Sequence, residues 1–353
     1  MASISDHTMP NNDDAFPAYF ADVNALDEFL ARPSRAVVED LATVEGDIIV
    51  LGAGGKMGPT LTRLAKTAAR SKRVVAVARF SEPELRRRLD CWGIETISCD
   101  LADRAAVDRL PRLPNVVFMA GRKFGSSSNE ALTWAINVYV PAIVADAFRA
   151  SRIVVFSTGN VYSLTDVRRE APTETTPPNP AGEYAQSCLG RERIFEYFSQ
   201  RHGTRGRALR LNYAIDMRYG ILYDIATKVR DGSPIDVTMG SVNVIWQGDA
   251  NTQALRCLKH CTAPITPLNI SGHEKLSVRW LSEELGRRLG RKPVIAGNEA
   301  ATALLTNTSE AVRLFGVPRV PIGVMLDWVA DWVARSMPAL NKPTKFEVRD
   351  GVF

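Results

Sequence analysis

An α/β fold with a doubly wound parallel sheet and a smaller C-terminal domain follows from three observations. Short, fully apolar runs alternate with helical stretches between residues 47 and 212. The first run leads straight into Gly52-Ala53-Gly54-Gly55-Lys56-Met57-Gly58 and then into a helix. After Asn212 the alternation weakens, and Gly- and Pro-containing segments with helices at 277–290 and 321–335 take over.

The elements follow in order. The polar first 17 or so residues read as a loose tail, followed by a helix from Asn24 that stops before Pro33 and another over 37–41. Strands are expected at 47–51, 74–78, 95–98, 115–119, 153–157 and 207–212. The helices between them fall at 59–70, 82–91, around 104–110, at 130–150 and at 184–201. The Thr/Glu/Pro-rich stretch 164–182 is a surface loop, and the chain from Met337 onward is irregular. The expected division is an N-terminal extension over 1–45 and a dinucleotide-binding domain over 46–212 and 241–262. A smaller substrate-binding domain with a tail takes 213–240 and 263–353.

Composition narrows the function classes. An apolar fraction of 45% and a charged fraction of 24% suit a soluble globular protein, and no apolar run reaches the ~20 residues of a membrane helix. The net charge is +5, and the basic run Arg86-Arg87-Arg88 is not interleaved with aromatics, so nucleic acid is not an expected partner. Five scattered cysteines and no secretory signal point to reduced thiols in a cytoplasmic setting. Cys257, His260 and Cys261 form no complete ligand set, and no metal is expected.

The chemistry starts at the glycine loop. Gly52, Gly55 and Gly58 let the backbone turn sharply and approach a pyrophosphate, whose charge the N–H groups at the following helix start would bind. Gly54, Lys56 and Met57 share that loop, which makes the fold Rossmann-type and the ligand NAD or NADP. Strand 74–78 ends in Arg79-Phe80-Ser81 with no acid to meet a ribose 2′-hydroxyl, so Arg79 and Ser81 tilt the choice toward NADP. Asp100 and Leu101, ending the third strand, are placed near the adenine; Asp100 also suits a helix cap.

At this point the chain resembles the extended short-chain dehydrogenase/reductase family, in its NAD-dependent epimerase/dehydratase branch, over about residues 46–300. Beyond the loop, the matching motifs are Cys99-Asp100-Leu101, Phe118-Met119-Ala120-Gly121, Asn137-Val138, the run 156–162 and Tyr184-Ala185-Gln186-Ser187-Cys188. The resemblance implies Tyr184 as acid/base, Thr158 as the hydroxyl on the same substrate oxygen, and Ser157 and Asn137 as neighbours in the network. It adds Ala120 and Gly121 to the cofactor contacts, and a homodimer formed through the helix carrying Tyr184.

The sequence departs from that pattern at two places. Position 188, where the resemblance implies a lysine, is cysteine. A positive charge ~5 Å from the tyrosine at an effective dielectric of ~20 is worth on the order of 3 kcal/mol, or about two pKa units. Either another cation, with Lys123 the candidate, enters the cleft, or the protein is a dinucleotide-binding sensor or scaffold without ordinary catalysis. Cys188 is itself a candidate catalytic group. The second departure is Val242, where family members that use nucleotide-sugars carry an arginine for the diphosphate. The expected activity is therefore NAD(P)-dependent oxidoreduction or epimerisation at a secondary alcohol of a small sugar or sugar acid. Lys123, Thr158, Asn160, Tyr162, Asn212, Trp246 and Gln247 are the candidate substrate contacts.

Overall fold

The computed structural model describes residues 15–123, 125–342 and 344–352. Its centre is a seven-stranded sheet: β1 (Ile48–Leu51), β2 (Val74–Ala78), β3 (Glu95–Ser98), β4 (Asn115–Phe118), β5 (Arg152–Thr158), β6 (Gly206–Leu211) and β7 (Thr266–Ile270). All pairings are parallel, in the order β7-β6-β5-β4-β1-β2-β3. The apolar runs have a direct cause. Ile48 and Val50 of β1 enter the core on one face, and Ile49 and Leu51 enter the core on the other. Each such side chain contributes about 1.5–3 kcal/mol on burial.

Leu61 and Leu64 of the helix Gly58–Ala68 cover the first face, together with Ala250 and Ala254 of Gln247–Arg256. The second face is covered by Val140, Ile143 and Val144 of Val140–Ala147 and by Phe195 of the long helix Gly182–His202. The stretch 130–150 is not one uniform helix: a π turn, Ala135–Tyr139, interrupts it.

The boundary expected at residue 263 is corrected, because Thr266–Ile270 completes the sheet. Pro267 and Asn269 break the apolar pattern there, and both are tolerated at an edge. Asn269 Nδ2 donates to Pro172 O and Asn307 O, at 3.1 and 2.9 Å.

The smaller domain has its own core, containing Ile225, Val278, Leu281, Trp328 and Trp332. The extension joins it through the helix Val23–Leu30, capped by Asp22, whose carboxylate accepts from Ala25 N at 2.8 Å. The next helix, Arg35–Thr43, lies on the sheet instead. The loose tail expected at the N-terminus lies largely outside the described residues. The C-terminal segment is irregular, as expected, but it is tied down. Phe346 is buried, Thr344 N and Oγ1 donate to Asp224 Oδ2, and Arg349 Nη1 donates to Thr302 O.

Candidate active site

The strand order reverses between β1 and β4, and two adjoining cavities open above that point. The first, about 300 Å³, is floored by Gly52, Gly54 and Gly55 and edged by Arg79, Ser81, Asp100 and Leu101. Its walls also include Ala120 and Gly121. The glycines are sterically required. Gly52 has φ +89°, and a Cβ there would lie 2.5 Å from Ala120 N; one on Gly58 would lie 2.3 Å from Ala53 O. A loop this close to its neighbours, leading into a helix, fits the pyrophosphate of a dinucleotide. Asp100 also closes its own turn, its carboxylate accepting from Ala102 N at 3.0 Å. Glu82, which the sequence reading passed over, lines the same cavity beside Ser81.

The second cavity, about 390 Å³, gathers most of the residues expected to do the chemistry. Lys56, Met57, Gly58, Lys123, Ser157, Thr158, Asn160, Tyr184 and Asn212 all line it. Tyr184 sits in the first turn of the helix Gly182–His202. Burial, and then Cys188, pushes its hydroxyl well above the ordinary tyrosine range, while Arg191 and Thr158 act in the opposite direction. Thr158 Oγ1 accepts from Asn160 N at 3.2 Å. Cys188 is buried beside Tyr184, and burial pushes its thiol up, against the lowering pull of Arg191. A thiol held neutral this way is a poor nucleophile.

Two cations approach Tyr184. Lys123 Nζ stands 5.9 Å from the centre of the Tyr184 ring and donates to Thr344 O at 3.3 Å. Burial lowers its pKa to about 8. The other cation, Arg191, was missed by the sequence reading. It is 5% exposed, and its Nη1 donates to Phe156 O and its Nη2 to Asn137 Oδ1, each at 2.7 Å. A Cβ at Gly121 would lie 2.6 Å from that Nη2, so the glycine makes room for the guanidinium. Positions 184, 188 and 191 share one helix face, which is the signal that could have found it.

Asn137 is the joint of this network. Its Oδ1 accepts from Arg122 N (2.8 Å) and from Arg191, and its Nδ2 donates to Arg122 O (3.0 Å) and Ser187 Oγ (2.9 Å). It is held by the π turn, a distortion that recurs at functional sites. Ser157 Oγ donates to Glu192 Oε1 at 2.5 Å, and Glu192 is paired with buried Arg210.

Three expected substrate contacts lie elsewhere. Trp246 is 1% exposed in the second core, its ring parallel to Phe20 and 5.3 Å from Trp328. Gln247 is buried and donates to Thr60 Oγ1 at 3.2 Å. The Tyr162 hydroxyl lies 2.9 Å from both Asn269 Oδ1 and Thr173 O and receives Arg210 Nη1 at 2.7 Å. All three are structural because their strand or turn directs them inward, away from the cleft. Cys261 and Cys257 are buried neighbours, the Cys261 thiol donating to Cys257 O. Among the described residues, no helix is long and apolar enough to cross a membrane.

The model of the NAD dependent epimerase/dehydratase family matches residues 48–215. A search of curated proteins finds no match. Among solved structures, the chain resembles the UDP-glucose 4-epimerase of Thermus thermophilus in complex with NAD, at 19% identity and a TM-score of 0.67. That match covers 81% of this chain and 98% of the other. It resembles MoeE5 in complex with UDP-glucuronic acid and NAD at 21% identity and a TM-score of 0.69, covering 83% and 100%. The UDP-glucuronic acid 4-epimerase of Bacillus cereus in complex with NAD gives 17% identity and a TM-score of 0.69, covering 82% and 99%. At these identities the likeness is one of fold.

Proposed function

We propose that this chain, a member of the NAD dependent epimerase/dehydratase family through residues 48–215, is an enzyme that oxidises or epimerises a secondary alcohol of a small sugar or sugar acid. The observation that carries this reading is the convergence of Tyr184, Thr158, Asn160, Asn212 and Lys123 on one cavity that also reaches the glycine loop. A bound nicotinamide dinucleotide supplies the hydride acceptor. Ionised Tyr184 takes the proton of the substrate hydroxyl as the C–H hydride leaves and the carbonyl forms. Thr158 donates to the same oxygen, and Asn160 and Asn212 orient the ring. Epimerisation would require the dinucleotide to give the hydride back to the same molecule, and net oxidation would require release of the carbonyl compound.

The missing lysine at position 188 is answered by Arg191 and Lys123 together. Both are cations near Tyr184, and Arg191 bears on it directly. Lys123 is protonated below about pH 8 and loses its charge above, so its support for the tyrosinate fades as the pH rises. Lys123→Met lowers the rate below about pH 8 and leaves it unchanged above, where the lysine is already neutral; an unchanged rate below pH 8 removes Lys123 from the mechanism.

At the ribose end, Arg79 and Ser81 favour a 2′-phosphate, while Glu82 on the same rim opposes one. With Arg79 prevailing, the cofactor is NADP. Arg79→Ala then weakens NADP binding about tenfold and leaves NAD nearly unchanged, as read by fluorescence titration. Equal losses for both place the arginine outside the site.

The functional test is incubation with a panel of sugars and sugar acids, following the absorbance of the reduced nicotinamide, with NMR of the products to detect epimerisation. Cys188, which raises the Tyr184 pKa, favours a second reading, a dinucleotide-binding sensor or scaffold. Dinucleotide binding without either signal across the panel selects that reading. The helix carrying Tyr184 is also the proposed homodimer surface, and the proposed compartment is the cytoplasm.

A further inference from the structure

The cavity beside Tyr184 is walled by three lysines, Lys56, Lys123 and Lys342, and its described lining contains no carboxylate. The acids nearest to it are engaged. Asp216 pairs with Arg218 at 3.0 Å, and Asp224 accepts from both the amide and the hydroxyl of Thr344. Lys56 belongs to the glycine loop, yet its ammonium docks across the cleft. Nζ donates to Ala214 O at 3.0 Å and stands 4.0 Å from the centre of the Tyr219 ring. Burial lowers the Lys56 pKa to about 8; Asp216 acts in the opposite direction, and Arg218 and then Lys123 lower it further.

Two buried ammonium groups on the wall of one cavity are costly unless opposite charge joins them. A carbonyl and an aromatic face offset only part of that cost. Asp216 and Asp224 act on the two lysines from outside the lining, which itself holds no carboxylate among the described residues, so an anion that enters meets the ammonium groups directly.

We propose that the substrate carries an anionic group, a carboxylate or a phosphate, seated between Lys56 and Lys123 while its reacting hydroxyl faces Tyr184 and Thr158. This rests on the functional reading above and narrows it. The anion is part of a monosaccharide-sized molecule. The C-terminal segment closes the cavity with Lys342 and Thr344, and Val242, buried in the second core, offers no cation to a diphosphate.

The test is calorimetric titration of dinucleotide-loaded protein with D-glucuronate, D-galacturonate and D-glucose 6-phosphate, beside neutral D-glucose and D-galactose. At least one anionic ligand binds saturably, about 30-fold or more tightly than its neutral parent, and its affinity falls with added salt. The uronates against the sugar phosphate decide which anion the site takes. Lys56→Met brings the anionic ligand down to the neutral level and Lys56→Arg retains most of the preference, each titrated at a dinucleotide concentration that saturates the variant. Three results overturn the proposal: equal binding of neutral and anionic sugars, no saturable binding of any of the three acids, or an unchanged anion preference in Lys56→Met. Binding and turnover fail separately. An acid that binds without reacting refutes the functional reading and leaves the anion site standing. A neutral sugar turned over with no preference for its acid does the reverse.

Discussion

Tyr184→Phe lowers turnover by about 10³-fold or more while dinucleotide affinity stays close to that of the parent protein. The size follows from what the hydroxyl does: a positioned acid/base contributes roughly 10²–10⁴-fold, and among the described lining residues Tyr184 is the phenol placed beside Thr158 and under the influence of Arg191. The sparing of the dinucleotide follows from geometry. The adenosine half of the ligand is proposed to occupy the first cavity, which Tyr184 does not line. Single-turnover rates and a binding titration on the same variant check both halves. Unchanged turnover removes Tyr184 from the chemistry; loss of dinucleotide affinity makes it a structural residue.

Arg191→Met has the second-largest expected effect, and it acts on two measurements at once. The variant removes the side-chain donor to Phe156 O and one of the two donors to Asn137 Oδ1, which keeps Arg122 N, at a cost of about 1 kcal/mol for each hydrogen bond lost. It also withdraws the cation that lowers the Tyr184 pKa. A unit charge several ångströms away at an effective dielectric of ~20 is worth about 2–3 kcal/mol, so the rising limb of the pH–rate profile moves up by about two pH units. Arg191→Lys restores much of the limb but not the stability, because an ammonium cannot span both acceptors as the planar fork does. If the melting temperature falls and the limb does not move, Arg191 is only a brace.

The fold was legible wherever burial is two-sided. Strands from Ile48–Leu51 to Gly206–Leu211 stand close to where their apolar runs place them, because each buries side chains on both faces of the sheet. Thr266–Ile270 escaped because an edge strand need not be apolar throughout, and Pro267 and Asn269 disguise it. Within the site, the glycine loop, Thr158, Lys123, Tyr184 and Asn212 could be placed on one cavity because motif order and strand ends determine which side of the sheet they reach. Trp246, Gln247 and Tyr162 could not. Each sits where the chain turns, and whether it then faces cleft or core depends on packing partners such as Phe20, Trp328 and Arg210, which are remote in sequence. Arg191 was hidden differently: its pattern on the helix was visible, but its burial against Phe156 O depends on the glycine at position 121.

The C-terminal segment makes the two cavities depend on different parts of the chain. The seven strands of the sheet end at Ile270, and the first cavity is lined only by residues from Gly52 to Val140. The reactive cavity waits for residues much later in the sequence. Thr344 is the partner of Lys123, and Gly351 packs against Gly182 at the start of the helix that carries Tyr184. These contacts join residues more than 150 positions apart, and contacts of that span close late and at high entropic cost. The first cavity is therefore complete without the C-terminal segment, whereas the second depends on that segment being docked.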